Sequence, residues 1–245
     1  MAYPGFSLKD FFSRPAVRIP VSQLVTDDLV TWHQNQWGYR TMEFDQVPQD
    51  YFVVVGCSLT EGQGLEYNET WSYFLAQDLD LAVVNLAKGG ANSQFCKQNI
   101  QQWIPQTHNP RFVVAQWPNP FRLLTWRQNQ ASFAMNSQRD EIYNTFLKHG
   151  DLNFYTAWMS SIIDAKRHCQ LHSVPMINIC LESLDFFPEA VLETLRQQNI
   201  VLHVDEKLPG RTWHFDSSAR DQQHHSAHCT KKWAERILPL IQEFC

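Results

Sequence analysis

The 245-residue chain has no stretch approaching the roughly 18 uninterrupted apolar residues that a membrane-spanning helix needs. Its start, Met-Ala-Tyr-Pro-Gly, lacks the basic-then-apolar pattern of a secretory signal. The expected location is therefore the cytosol, with release by lysis or carriage on a virion if a phage encodes it. There is no dense Lys/Arg stripe, and 20 basic against 25 acidic residues leave a formal charge of -5, which argues against a nucleic-acid partner. The six cysteines, Cys57, Cys96, Cys169, Cys180, Cys229 and Cys245, show neither close pairing nor a Cys-x-x-Cys spacing, so reduced core residues are expected rather than a disulfide framework. Repeats and low-complexity tracts are absent too.

With 44% hydrophobic residues, the chain can build one sizeable core, and a single domain over 1–245 is expected. Residues 1–50 read as a polar, proline-punctuated arm packed on that domain, with Trp32, Trp37 and Tyr39 as anchors. Short apolar runs predict strands over 52–55, 81–86, 112–117, 176–181 and 200–204. Helical patterns alternate with them over 69–79, 93–104, 139–147, 154–171, 188–197 and 227–243. In the long helix Phe154, Trp158, Ser161, Ile162 and Ala165 recur at three- and four-residue steps and predict one buried stripe. Alternation of this kind predicts a three-layer α/β/α fold around a doubly wound parallel sheet with right-handed crossovers.

Two segments carry chemistry. The run Tyr51-Phe-Val-Val-Val-Gly-Cys-Ser58 is a buried strand that stops on a glycine and displays a serine, as nucleophiles are commonly displayed; the same pattern also serves as a plain helix cap. Cys57 alternates to the opposite side of the strand and is expected to be buried. Near the C-terminus Asp221 and His224 stand three residues apart before an amphipathic stretch. An imidazole with an ordinary pKa of about 6.5 can accept a serine proton, and a carboxylate beside it fixes its tautomer. A helix cap with surface histidines fits that segment as well. His225 and His228 are rival bases, and His224 is preferred on spacing. His224, His225, His228 and Cys229 are all zinc-ligand types, but four ligands within six residues do not converge easily on one tetrahedral ion.

Taken in order, these segments resemble the SGNH hydrolases, also called GDSL-type esterases. The first block resembles Gly56-Cys-Ser58-Leu-Thr60, and the second Val84-Asn85-Leu-Ala-Lys-Gly89-Gly90-Ala-Asn92. The third resembles Phe112-Val-Val-Ala-Gln-Trp117-Pro-Asn119, and the fourth runs from Asp221 and His224 to Ala234. Asn35-Gln-Trp-Gly38-Tyr-Arg40 resembles a lead-in found in a bacterial and phage subset with a Gly-Cys-Ser first block. The chain departs from the family at Cys57, where aspartate is usual, at Trp117, Pro118 and Pro120 around Asn119, and at His225, where proline is usual.

The resemblance implies a flavodoxin-like, five-stranded sheet of order 2-1-3-4-5. It also implies a serine esterase in which Ser58 attacks, His224 is the base and Asp221 orients it. The oxyanion would be held at Ser58, Gly90 and Asn119, with no metal or organic cofactor. The stretch 118–138 begins at Asn119 and is expected to rim the substrate, so Arg122, Trp126 and Trp117 are candidate substrate contacts. Nine tryptophans are accounted for first by ordinary aromatic packing and also suit stacking on sugar rings; the expected substrate is a small acyl ester, acetyl above all, with a carbohydrate as one alcohol that could carry it. An O-acyltransferase with the same triad, or a silent binding or structural module such as a phage particle carries, is the alternative.

Overall fold

The computed structural model describes residues 30, 32–106, 108–120, 122–127, 130–134, 151–180, 187–204 and 224–244. Five parallel strands form the main sheet: β1 (Tyr51–Val55), β2 (Ala82–Asn85), β3 (Val113–Trp117), β6 (Met176–Cys180) and β7 (Leu202–Val204). They lie in the order β2-β1-β3-β6-β7, which is the expected 2-1-3-4-5. Every residue of β1 and β3 is buried, because a central parallel strand has apolar layers on both faces.

Between the strands run α1 (Ser58–Glu61), α2 (Trp71–Leu79), α3 (Ser93–Trp103), α4 (Asp151–Leu171), α5 (Glu189–Gln197) and α6 (Ala227–Ile241). Alternation along each strand sorts them into two layers. Val53, Val55, Val113 and Ala115 pack with Phe95 and Ile100 of α3, Trp158 and Ile162 of α4, and Val191 and Leu195 of α5. Phe52, Val54, Val114 and Ile177 face Trp71 and Leu75 of α2 and Trp233 and Ile237 of α6 on the other side. The expected stripe of α4 is buried throughout, from Phe154 to Ala165, and continues to Cys169.

The helix expected from residue 69 starts at Trp71, because Thr70 takes the N-cap and accepts from the Tyr73 N–H at 3.3 Å. The stretch after Asn119 contains two strands that periodicity did not reveal, β4 (Leu123–Arg127) and β5 (Gln130–Ala134), paired antiparallel apart from the main sheet. The helix expected over 139–147 lies outside the described residues. No described helix is long and apolar enough to cross a membrane.

Candidate active site

Because β1, β2 and β3 are parallel neighbours, their carboxyl ends share one edge of the sheet. Ser58 follows β1, Gly90 follows β2 and Asn119 follows β3, so the topology brings three of the expected site residues to that edge. Ligands of open α/β sheets bind there. Gly90 has φ 75°, a left-handed conformation that glycine adopts without a steric penalty. The Asn119 carbonyl accepts from the Arg122 N–H at 3.2 Å.

The turn that presents Ser58 is tightly braced. Gly56 has no room for a side chain: a Cβ would run into Thr60 Oγ1 and Gln116 Oε1. Gln116, a buried amide in an otherwise apolar strand, accepts from the Cys57 N–H at 3.3 Å and from Thr60 Oγ1 at 3.0 Å. Asn85 at the end of β2 donates to the Thr60 carbonyl at 2.7 Å. Cys57 is buried, as expected from its place before the serine. Ser58 is nearly covered, at 8% exposure, yet its hydroxyl has a partner from the far end of the chain. His224 Nε2 lies 2.9 Å from Ser58 Oγ.

His224 is delivered by the start of α6. Ser226 caps that helix, accepting from the Cys229 N–H at 3.4 Å, and Thr230 Oγ1 donates to the Glu69 carbonyl at 2.6 Å, which pins the first turn beside α2. The three histidines of this segment have separate surroundings. His225 is buried, with its ring 6.0 Å from that of Trp233, and burial, reinforced by His224, pushes its pKa down to about 4. His228 is exposed. Asp221, the expected orienting carboxylate, lies outside the described residues. A serine hydroxyl within hydrogen-bond reach of an imidazole can be deprotonated as it attacks an electrophile.

The expected substrate contacts separate. Trp117 has no exposure, and its indole N–H donates to Asn178 Oδ1 on β6 at 3.0 Å, so this residue is a core side chain rather than a substrate contact. Strand alternation turns it inward onto α4's layer. Arg122 is half-buried and donates to the Ala91 carbonyl at 3.4 Å, which ties the stretch after β3 to the loop carrying Gly90. Trp126 lies on β4, paired with Ala131 of β5.

Two charged residues that sequence reasoning did not assign surround this turn. Arg40 is 1% exposed and donates to the carbonyls of Gly62 and Leu65, both at 2.6 Å, while its guanidinium lies 4.0 Å from the centre of the Trp32 ring. Burial pushes its pKa down to about 10, against the pull of Glu61, so it stays charged at neutral pH. Glu61 is 2% exposed and meets Lys88 Nζ at 3.3 Å. The available signals were Gln116 breaking an apolar run and Glu61 three residues after Ser58.

No family model matches the chain, and no curated protein matches it by sequence. Solved structures do. TesA is 13% identical over 80% of this chain and 100% of its own, with a TM-score of 0.52. A protein assigned to the lipolytic G-D-S-L family from Desulfitobacterium hafniense DCB-2 is 13% identical over 78% of this chain and 98% of its own, with a TM-score of 0.52. The acetyl xylan esterase Est2A from the rumen bacterium Butyrivibrio proteoclasticus is 12% identical over 80% of this chain and 64% of its own, again with a TM-score of 0.52. With its parallel sheet of order 2-1-3-4-5 between two helical layers, the chain has the fold of the SGNH hydrolases.

Proposed function

We propose that this chain is a serine esterase that hydrolyses a small acyl ester, acetyl on a carbohydrate being the favoured substrate. The observation that carries the reading is the 2.9 Å approach of His224 Nε2 to Ser58 Oγ at the carboxyl edge of an SGNH-type sheet. Ser58 Oγ attacks the ester carbonyl carbon while its proton passes to His224 Nε2. The resulting oxyanion is held by the Ser58 and Gly90 N–H groups and the Asn119 amide, and Asp221 orients the imidazole. Collapse expels the alcohol, which takes the proton from His224 and leaves an acyl-serine. Water then gives its proton to His224 and attacks the acyl carbon, releasing the acid and restoring Ser58. One donor of this kind typically lowers the barrier by about 3 kcal/mol. Support for the carbohydrate ester comes from the similarity in fold to an acetyl xylan esterase. Arg122 and Trp126 are the proposed rim.

The test is intact mass after exposure to a fluorophosphonate. One adduct on wild type that is absent from Ser58→Ala is the expected result. A well-folded wild type that takes up no adduct would overturn the reading.

A further inference from the structure

We infer that Glu61 is a positioning residue whose carboxylate fixes the loop of residues 88–90 against the Ser58 turn and thereby sets the direction of the Gly90 N–H. The inference rests on the esterase reading above and deepens it. Glu61 ends α1, three residues after Ser58, and is almost wholly buried. A buried carboxylate is costly unless its oxygens are satisfied. Here Oε2 accepts from the Gly89 N–H at 2.6 Å and from Gln63 Nε2 at 3.2 Å, and Oε1 faces Lys88 Nζ at 3.3 Å. Lys88 Nζ donates onward to the Gly38 carbonyl at 2.7 Å, and the Lys88 N–H donates to the Gly56 carbonyl at 3.2 Å. Two of the three residues before Gly90's N–H are thus held by the turn that presents Ser58.

The loop itself is a four-residue turn, closed by the Ala91 N–H on the Lys88 carbonyl at 3.0 Å, with Gly90 at the third position and φ 75°. Positive φ at the third position marks a type II turn, which differs from type I by a flip of the central peptide. That peptide joins Gly89 to Gly90 and carries the Gly90 N–H. The bond from Gly89 to Glu61 anchors the peptide just before it. A Cβ on Gly89 would meet Gln63 Nε2 and lie 3.0 Å from Glu61 Oε2, so these two side chains lie against the loop's backbone. An anchor of this kind acts on a transition-state oxyanion more than on a bound neutral ester.

Glu61→Gln has nearly the same shape but one acceptor and one donor in place of two acceptors. Its NH2 must face either the Gly89 N–H or the Lys88 ammonium. With the fluorophosphonate as probe, kinact is expected to fall roughly tenfold to a hundredfold while KI stays within about threefold. In Glu61→Gln/Lys88→Met the ammonium is gone, the amide oxygen can settle on the Gly89 N–H, and most of the lost kinact is expected to return. A merely structural role would not be rescued by removing a second buried contact. Glu61→Gln within about twofold of wild type, or a double variant no faster than the single one, would overturn the inference. Should Glu61→Gln fail to fold, the double variant decides alone: kinact within about tenfold of wild type supports the positioning role, and a larger loss overturns it. Absence of any adduct on wild type would instead overturn the esterase reading, so the two failures are told apart.

Discussion

His224 and His225 adjoin in the chain and face different media. The first meets Ser58 Oγ at 2.9 Å, and the second is enclosed beside Trp233 with its pKa pushed down to about 4 by burial. Between pH 4 and the ordinary value of about 6.5, the unfolded chain holds a proton on His225 that the folded chain does not. Folding stability contributed by this residue is therefore lost as pH falls through that window, by about 3 kcal/mol at about 1.36 kcal/mol per pH unit. Urea unfolding at pH 7 and pH 4.5 is expected to show a smaller acid loss in His225→Gln than in wild type, and equal losses would remove the argument. The meeting of Ser58 with His224 was legible in the sequence because Ser58 follows β1 and His224 stands three residues before α6, each an element with its own local pattern. Glu61 and Gln116 were not, since their partners, Gly89 and Cys57, come from other strands' loops and no local spacing records them. Trp117 misled for the same reason, an aromatic at a strand end having two faces to choose from.

Among the elements, α4 bears most directly on the site. Trp158 is fully buried, stacks on Phe187 with ring centres 5.0 Å apart, and donates from Nε1 to the Pro118 carbonyl at 2.8 Å. Trp158→Ala is expected to cost about 3–5 kcal/mol by denaturant unfolding, from lost burial and the cavity left behind. Because Pro118 directly precedes Asn119, the folded fraction is also expected to react more slowly with the fluorophosphonate. A stable variant with the wild-type rate would show that α4 does not steady that loop. Strands and helices with a single periodicity were legible, as the near agreement over β1, β3 and α4 shows. The β4–β5 pair was not, because its strands pair with each other and carry no apolar run of the kind that a doubly covered strand requires.

For the molecule as a whole, residues 32–50 before β1 form a strap against the turn that presents Ser58 and against β2. Tyr39 OH donates to Asn99 Oδ1 at 3.1 Å, Thr41 Oγ1 meets both Val83 and Asn85 of β2 at 3.2 Å, and Arg40 holds the carbonyls that follow α1. Burial raises the Tyr39 phenol well above its ordinary value, so it acts as a neutral donor. Arg40→Ala would take the guanidinium donor from the buried Leu65 carbonyl, leave the Gly62 carbonyl with only the Leu65 N–H at 3.2 Å and remove the contact with Trp32, costing about 2–4 kcal/mol in all. At this chain length a melting temperature lower by roughly 5–15 °C is expected by calorimetry. An unchanged melting temperature would show that the strap is an ornament. The strand order was legible only through the resemblance, since alternation alone gives layers and handedness but not which strand neighbours which.

The bond between Ser58 and His224 spans 166 positions of sequence. A ribosome therefore releases Ser58 well before the imidazole that it meets. All five strands of the sheet precede His224, so a growing chain can have its scaffold in place while Ser58 remains an ordinary alcohol. On the esterase reading, Ser58 becomes reactive only once α6 docks beside α2, so a chain cut before His224 is expected to take up no fluorophosphonate.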